Sequence, residues 1–275
     1  MSQRHKADEF FETVRFPVSA RAILGLRQCQ VGGHSARSMM LNELRCVFQH
    51  TPPDAAPAAI EAAVIDLNVL NKATQGGRKK SLHHLRELYG LDVAQALFRV
   101  LRVFAKRDPL SVPLLALVCV FCRDPQLKES FELIRHLRLG EVLLRDTMED
   151  HLESSFPGRF SLATKKSMAQ NVNTTWTHSG HLSGKVRKTR CLPDCRPESA
   201  AYAMFAGYLA GLRGQQLLES AYGLLVARDP SILLAQLPLA AARGLIGFKF
   251  AGGIFEFDFR RLLTPDEQRI CDVPP

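Results

Sequence analysis

The chain has 275 residues, of which 46% are hydrophobic and 23% charged, with 18 Gly and 15 Pro. That balance excludes wholesale disorder, a collagen and a coiled coil, and it leaves a globular protein able to bury one large or two modest cores. The formal charge, 36 minus 27 or +9, favours acidic partners, with nucleic acid first and an anionic membrane surface second.

The longest apolar run, Leu114 to Cys122, is far short of the roughly 20 residues a membrane helix needs. The stretch from Met1 to Glu12 carries Arg4, Lys6, Asp8 and Glu9 with no apolar core behind them, which is not the pattern of a secretory signal. The expectation is a soluble cytoplasmic protein with no membrane partner, its seven cysteines kept as reduced thiols.

From Asp8 to about Ser155 apolar residues recur at helical spacing, as in Ala36, Met39, Met40, Leu44, Val47 and Phe48, and strand-like alternation is absent. Residues 1–155 therefore read as a helical bundle. Breaks are expected at Gly32-Gly33, Thr51 to Asp54, Gly76-Gly77, Asp108-Pro109, Asp124-Pro125 and Pro157-Gly158. Asp108 and Asp124 read as N-caps, since an Asp side chain accepts from first-turn amides and the following Pro lacks the amide that would otherwise go unpaired.

Charge is concentrated in one window. Between Ser154 and Pro193 stand Arg159, Lys165, Lys166, Lys185, Arg187, Lys188 and Arg190 with no Asp or Glu, so these 40 residues carry +7 of the +9. Leu162, Met168, Val172 and Trp176 fall at helical spacing, which predicts a helix over Thr164 to about His178, capped by Ser161 or Thr164 and ended at Ser179-Gly180. His181 to Cys191 alternates loosely, as in a hairpin tipped at Ser183-Gly184.

A helix followed by a basic hairpin is the working end of a winged helix, in which the helix enters the major groove and wing cations neutralise phosphates. On the polar side, Gln170, Asn171, Asn173, Thr174 and Thr175 carry amides and hydroxyls that bond base edges or phosphate oxygens. Trp176 shares the apolar face and reads as core instead of a base-stacking platform. Residues 156–195 thus form a basic helix and wing.

Residues 196–275 read as a second winged-helix-like unit. Ser199 to Leu212, Gln215 to Val226 and Ser231 to Arg243 are apolar-faced helices, the last broken or restarted at Pro238. From Leu245 to Phe259 the period changes to two. With Gly252-Gly253 as a two-residue turn, Phe250 faces Phe255, Phe248 faces Phe257, Ile246 faces Phe259, and Lys249 faces Glu256 on the opposite side. With Glu256 and Asp258 in its strands, this hairpin suits packing or protein contact better than phosphate.

The order of features in Leu67 to Leu182 resembles the small BrxA-type proteins of BREX bacteriophage-exclusion islands. The matching stretches are Asn68-Val69-Leu70-Asn71 followed by Arg78-Lys79-Lys80 and Leu85, the apolar helix Leu114 to Phe131, and Thr164-Lys165-Lys166 through Asn171 to Trp176 and Leu182. The resemblance covers about half of the chain. It implies a helical protein with a winged-helix-like part that binds double-stranded DNA without known catalysis and is encoded beside a methyltransferase and other defence subunits. By position it implies Lys165, Lys166 and Asn171 as DNA contacts, and Arg78, Lys79 and Lys80 as a second basic cluster. The segment after about Cys191 departs from the shorter family members.

Other chemistries find less support. His178, His181, Cys191 and Cys195 are four potential zinc ligands at a spacing unlike common structural sites. A histidine pair and two unrelated thiols describe them better. Cys119 and Cys122 in an apolar helix read as buried inert thiols. Gly76 to Ser81 lacks the first glycine of a P-loop and follows a helical pattern instead of a strand. Carboxylate pairs such as Glu149 with Asp150, or Glu61 with Asp66, stand beside no nucleophile or metal, and His83, His84 and His136 read as surface histidines.

The expectation is a mainly α, non-enzymatic protein that binds duplex DNA largely without sequence preference, with no metal, cofactor or small-molecule substrate and with other defence subunits as partners. Four to six phosphate contacts would give a salt slope of roughly −4 to −5. The rivals are an adaptor subunit whose basic window binds an acidic protein, a winged-helix transcriptional regulator, and an RNA-binding protein.

Overall fold

The computed structural model describes residues 16–272 and is mainly helical. Its elements are α1 (Val18–Leu24), α2 (Leu41–His50), α3 (Pro57–Ile65), α4 (Gln75–Tyr89), α5 (Ala96–Arg107), α6 (Val112–Phe121), α7 (Pro125–His136), β1 (Val142–Leu143), α8 (Arg145–Ser155) and α9 (Leu162–His178). These are followed by β2 (Leu182–Ser183), β3 (Lys188–Arg190), α10 (Pro197–Leu209), α11 (Gln216–Glu219), α12 (Ala221–Val226), α13 (Pro230–Ala242), β4 (Gly247–Ala251), β5 (Ile254–Asp258) and α14 (Pro265–Asp272).

Two helices are apolar on nearly every face and therefore sit where no face meets water. Along α6 all residues but Pro113 are buried, and along α10 all but Tyr208. They pack on each other, and α10 also packs on α5, α12 and α13. The buried side chains form one continuous core from Phe16 to Cys271, so the stretches 1–155, 156–195 and 196–275 share it. Ion pairs brace the rim: Arg99 to Glu267 at 2.5 Å, Arg196 to Asp108 at 2.5 Å and Arg243 to Glu198 at 2.9 Å.

Helix starts follow local chemistry. Asp124 accepts from the Leu127 amide at 3.0 Å and Ser161 from the Thr164 amide at 3.2 Å, as expected. Asp108 accepts from Leu110 at 3.2 Å and opens a 3-10 turn that leads into α6.

Several local expectations need correction. The expected break at Gly76-Gly77 lies inside the first turn of α4, and the expected helix from Gln215 to Val226 is two helices, α11 and α12, divided at Ser220. Ala36 to Met40 is not helical: α2 begins at Leu41, and Met40 adopts a left-handed φ of 47°. Met39 and Met40 are nevertheless buried, because tertiary contacts hold them, with the Met39 amide donating to Thr175 Oγ1 at 2.8 Å and Tyr89 donating to the Met39 carbonyl. α13 runs through Pro238 without a break. Pro238 is exposed and its missing amide costs the helix one bond. Within the expected helical bundle lies β1, whose two residues are too short to show any alternation.

β1 belongs to an antiparallel sheet of order β1-β3-β2, with Val142 opposite Thr189 and Ser183 also opposite Thr189. It lies at the end of α9 and joins the helical half to the basic hairpin. In the other hairpin, Phe248 pairs with Phe257, Lys249 with Glu256 and Phe250 with Phe255, the expected register. Gly252 and Gly253 turn it with φ of 58° and 80°. Among the described residues no single helix is long and apolar enough to cross a membrane.

Candidate nucleic-acid interface

α9 is built to expose one narrow polar face. Met168, Ala169, Val172, Asn173, Thr175 and Trp176 are buried against α7 and α8, and the Trp176 indole donates to Ser130 Oγ at 2.9 Å. Facing outward are Ala163, Lys166, Ser167, Gln170 and His178, with Thr174 and Thr177 partly covered, and Leu162, expected on the apolar stripe, is exposed at the first turn. At 1.5 Å per residue this face is about 24 Å long.

Its flank is formed by residues 30–40. The chain passes Asp124 and Leu88 so closely that a Cβ on Gly32 would lie 2.1 Å from Asp124 Oδ2, and one on Gly33 would lie 2.9 Å from Leu88 Cδ2. Glycine is required by that approach. The segment then follows α9 from end to end. Arg159 donates to Gln30 Oε1 at 2.7 Å, Asn171 Nδ2 donates to the His34 carbonyl at 3.1 Å, and His34 Nε2 lies 2.8 Å from Thr175 Oγ1. Behind it, His34 Nδ1 lies 3.0 Å from Asp124 Oδ2. Burial raises the Asp124 carboxyl, but His34 and the amides of Leu127 and His34 outweigh it and hold it below its ordinary value.

The expected contact residues divide into three groups. Lys166, Gln170, Lys185, Arg187, Lys79 and Lys80 are exposed, and Thr174 is partly so. Arg159 is exposed with its bond to Gln30, and Lys188 is half-exposed with Nζ donating to the Gly184 carbonyl at 3.0 Å. Lys165, Asn171 and Arg78 are half-buried and engaged. Lys165 pairs with Glu153 at 2.8 Å, and that bond and the Gly158 amide hold the Glu153 carboxyl below its ordinary value. Arg78 donates to the Ile65 carbonyl at 2.9 Å.

Asn173, Thr175 and Arg190 are corrections to the expected contact set, since all three are buried. Asn173 is turned into the core side of α9. The Arg190 guanidinium donates to the carbonyls of Ile134 at 3.1 Å, His181 at 3.0 Å and Cys191, so its charge is spent tying β3 to the end of α7.

The four residues of the zinc pattern do not converge. His178 is exposed, and Cys191 donates its thiol to the Gly180 carbonyl at 3.1 Å. His181 is buried and neutral, with Nε2–H donating to the Leu225 carbonyl at 2.8 Å and Nδ1 accepting from the Ser179 hydroxyl at 2.9 Å. Burial, with Arg190 adding its positive charge, pushes the His181 pKa down to about 3. Cys119 and Cys122 are buried thiols pushed up to about 11 and about 12 by burial. Among the described residues, the metal-ligating types that cluster are His83, His84 and Glu87 on α4. There Glu87 also pairs with Arg27 at 3.6 Å.

Of the second basic cluster, Lys80 is brought beside the end of α9. Lys80 of α4 and His178 at the end of α9 line one cleft of about 340 Å³ with Arg37 and Lys72. The pKa of His178 is held below its ordinary value by partial burial and by the charges of Lys188 and Arg45. Arg37, Arg45 and Lys72 lie outside any run of charge that the sequence marks, and His178 counts as neutral in the formal charge. They come from separate segments, and no local count of charge brings them together. No protein-family model matches this chain, and no curated protein matches it.

Proposed function

We propose that the chain is a non-catalytic protein that binds double-stranded DNA chiefly through its phosphate backbone, with little sequence preference. The observation that carries this reading is the exposed polar face of α9, with cations at both ends: Arg159 and Lys166 at its start, Lys185, Arg187 and Lys188 in the hairpin beyond its end. The reading is supported by the order α7, β1, α8, α9, β2, β3 and the sheet order β1-β3-β2, which agree with the connectivity expected of a winged-helix unit; in this proposal α9 serves as the groove helix and residues 184–187 as the wing. Gln170 and Thr174 then face base edges or phosphate oxygens. The resemblance to BrxA-type proteins extends the reading to a component of a BREX-like anti-phage system.

With Lys165 paired and Arg190 buried, the cations of the basic window able to reach phosphate are Arg159, Lys166, Lys185, Arg187 and Lys188. The expected salt slope is therefore about −4 to −5, shallower than the roughly −6 of the full window. The test is retention of a random-sequence duplex by Lys166→Glu, Lys185→Glu and Arg187→Glu combined. Loss of retention with an unchanged melting temperature supports the reading. Unchanged affinity, or a titration indifferent to salt, overturns it.

One observation favours a second, adaptor role. The tip of the β4–β5 hairpin leaves Phe250 57% and Ile254 66% exposed, apolar area that suits a protein partner more than phosphate. In an adaptor, the charge reversals leave partner pull-down intact and Phe250→Ser abolishes it.

A further inference from the structure

The cleft beside the end of α9 has a composition that neither the wing nor the helix face explains. Four basic side chains line it from four separate places: Arg37 ahead of α2, Lys72 in the loop between α3 and α4, Lys80 on α4, and His178 at the end of α9. Its one acidic lining residue is Glu43, already bonded to Lys72 at 3.0 Å. Arg37 and Lys80 are exposed and form no ion pair among the described residues. A concave site with three permanent cations against one carboxylate, with the Asn42 amide at its edge, focuses positive potential and draws in an anion.

The surrounding backbone is arranged to hold these groups. The Lys72 amide donates to Asn68 Oδ1 at 2.9 Å and Asn68 Nδ2 donates back to the Lys72 carbonyl at 3.1 Å. Asn68 and Asn71 take left-handed φ of 51° and 49°, and Met40, which lines the cleft, takes 47°. For a side chain as large as Met this conformation is unfavourable and persists only where the surroundings impose it. The first-turn amide of Gly77 is already taken by the Thr74 hydroxyl at 3.0 Å, so side chains, and not the start of α4, supply the donors.

We propose that this cleft is a phosphate-binding site, in which Arg37, Lys72, Lys80 and His178 grip the oxygens of one phosphate group. Arg37 brings a planar fork of donors and the lysines bring point charges, the combination that phosphate oxygens accept. An anion there also relieves the like-charge pressure that Lys188 and Arg45 exert on His178. The phosphate has two possible sources. It is a backbone phosphate of a duplex lying along α9, in which case the assignment rests on the DNA reading above, or a free phosphate species.

The experiment uses the full chain with inorganic pyrophosphate as one probe and a random-sequence duplex as the other, compared with Arg37→Gln combined with Lys80→Gln. In the wild-type protein, pyrophosphate moves the imidazole resonances of His178 saturably, and the double variant weakens that binding about tenfold, the loss of two partly screened contacts. If the duplex is the source, the variant also lowers the salt slope of DNA binding by about 1, the loss of one phosphate contact. If pyrophosphate binding falls and the slope is unchanged, the site stands and its ligand is a free phosphate. The proposal is overturned if millimolar pyrophosphate leaves His178 unmoved, or if wild type and variant respond alike. The pyrophosphate result needs no DNA, so it reads the cleft even where the duplex reading fails.

Discussion

Replacing Arg190 with Met separates a structural cation from a DNA contact. Met keeps the apolar stem and removes three charge-assisted donations, to Ile134, His181 and Cys191. The His181 carbonyl still accepts from the Cys191 amide at 2.9 Å, so the carbonyls of Ile134 and Cys191 bear the loss. Each buried carbonyl left without its donor costs about 1–3 kcal/mol. Part of this is offset because the guanidinium no longer has to be desolvated, the same burial that lowers its pKa. The net expectation is a loss of about 2–4 kcal/mol, or roughly 4–16 °C in melting temperature for a chain of this size. Urea unfolding followed by far-ultraviolet circular dichroism measures it, and Lys185→Met, on an exposed side chain, serves as the control with a change below about 0.5 kcal/mol. The reasoning is refuted if Arg190→Met unfolds at the wild-type urea midpoint with the wild-type slope and weakens only DNA binding.

His181 makes stability depend on pH in a stated direction. Its folded pKa is pushed down to about 3 from an ordinary 6.5, so between those values the unfolded chain binds the extra proton, and stability falls by up to about 1.4 kcal/mol per pH unit as pH drops below 6.5. His181→Asn keeps a donor and an acceptor and should flatten that slope in urea midpoints taken from pH 7.5 to 5; equal slopes would remove His181 as the cause. Cys119 and Cys122, raised to about 11 and about 12, should resist iodoacetamide at pH 8 until the protein unfolds, whereas Cys29 and Cys191 are only partly buried. Mass spectrometry of the labelled peptides would contradict this if Cys119 or Cys122 reacted first. Gly252→Ala with Gly253→Ala forces two left-handed alanines, at about 1–2 kcal/mol each. Nothing lies near either position to clash, so amide exchange should accelerate in 247–258 while the global midpoint moves little, and unaltered protection there would disprove the turn conformation.

The elements most legible in the chain are those whose signals are local. The β4–β5 register follows from a period of two on both sides of Gly252-Gly253, because only one pairing puts the phenylalanines on one face and Lys249 against Glu256. The α9 bounds follow from a serine cap, an apolar stripe ending at Trp176 and Gly180 just beyond. The helical class and the burial of Cys119, Cys122 and Trp176 follow from apolar periodicity in the same way. Burial of a charged or polar side chain is different, since it depends on what arrives from elsewhere. Arg190 looks like any wing cation until the carbonyls of Ile134 and His181 reach it, and Lys165 looks free until Glu153 lies across from it. Met40 and Ala36 repeat at helical spacing, yet contacts with Thr175 and Tyr89 hold that segment out of a helix. The cleft of Arg37, Lys72, Lys80 and His178 joins side chains more than a hundred residues apart. Its charge is a property of three-dimensional proximity, which the spacing of residues along one chain does not encode in any local pattern.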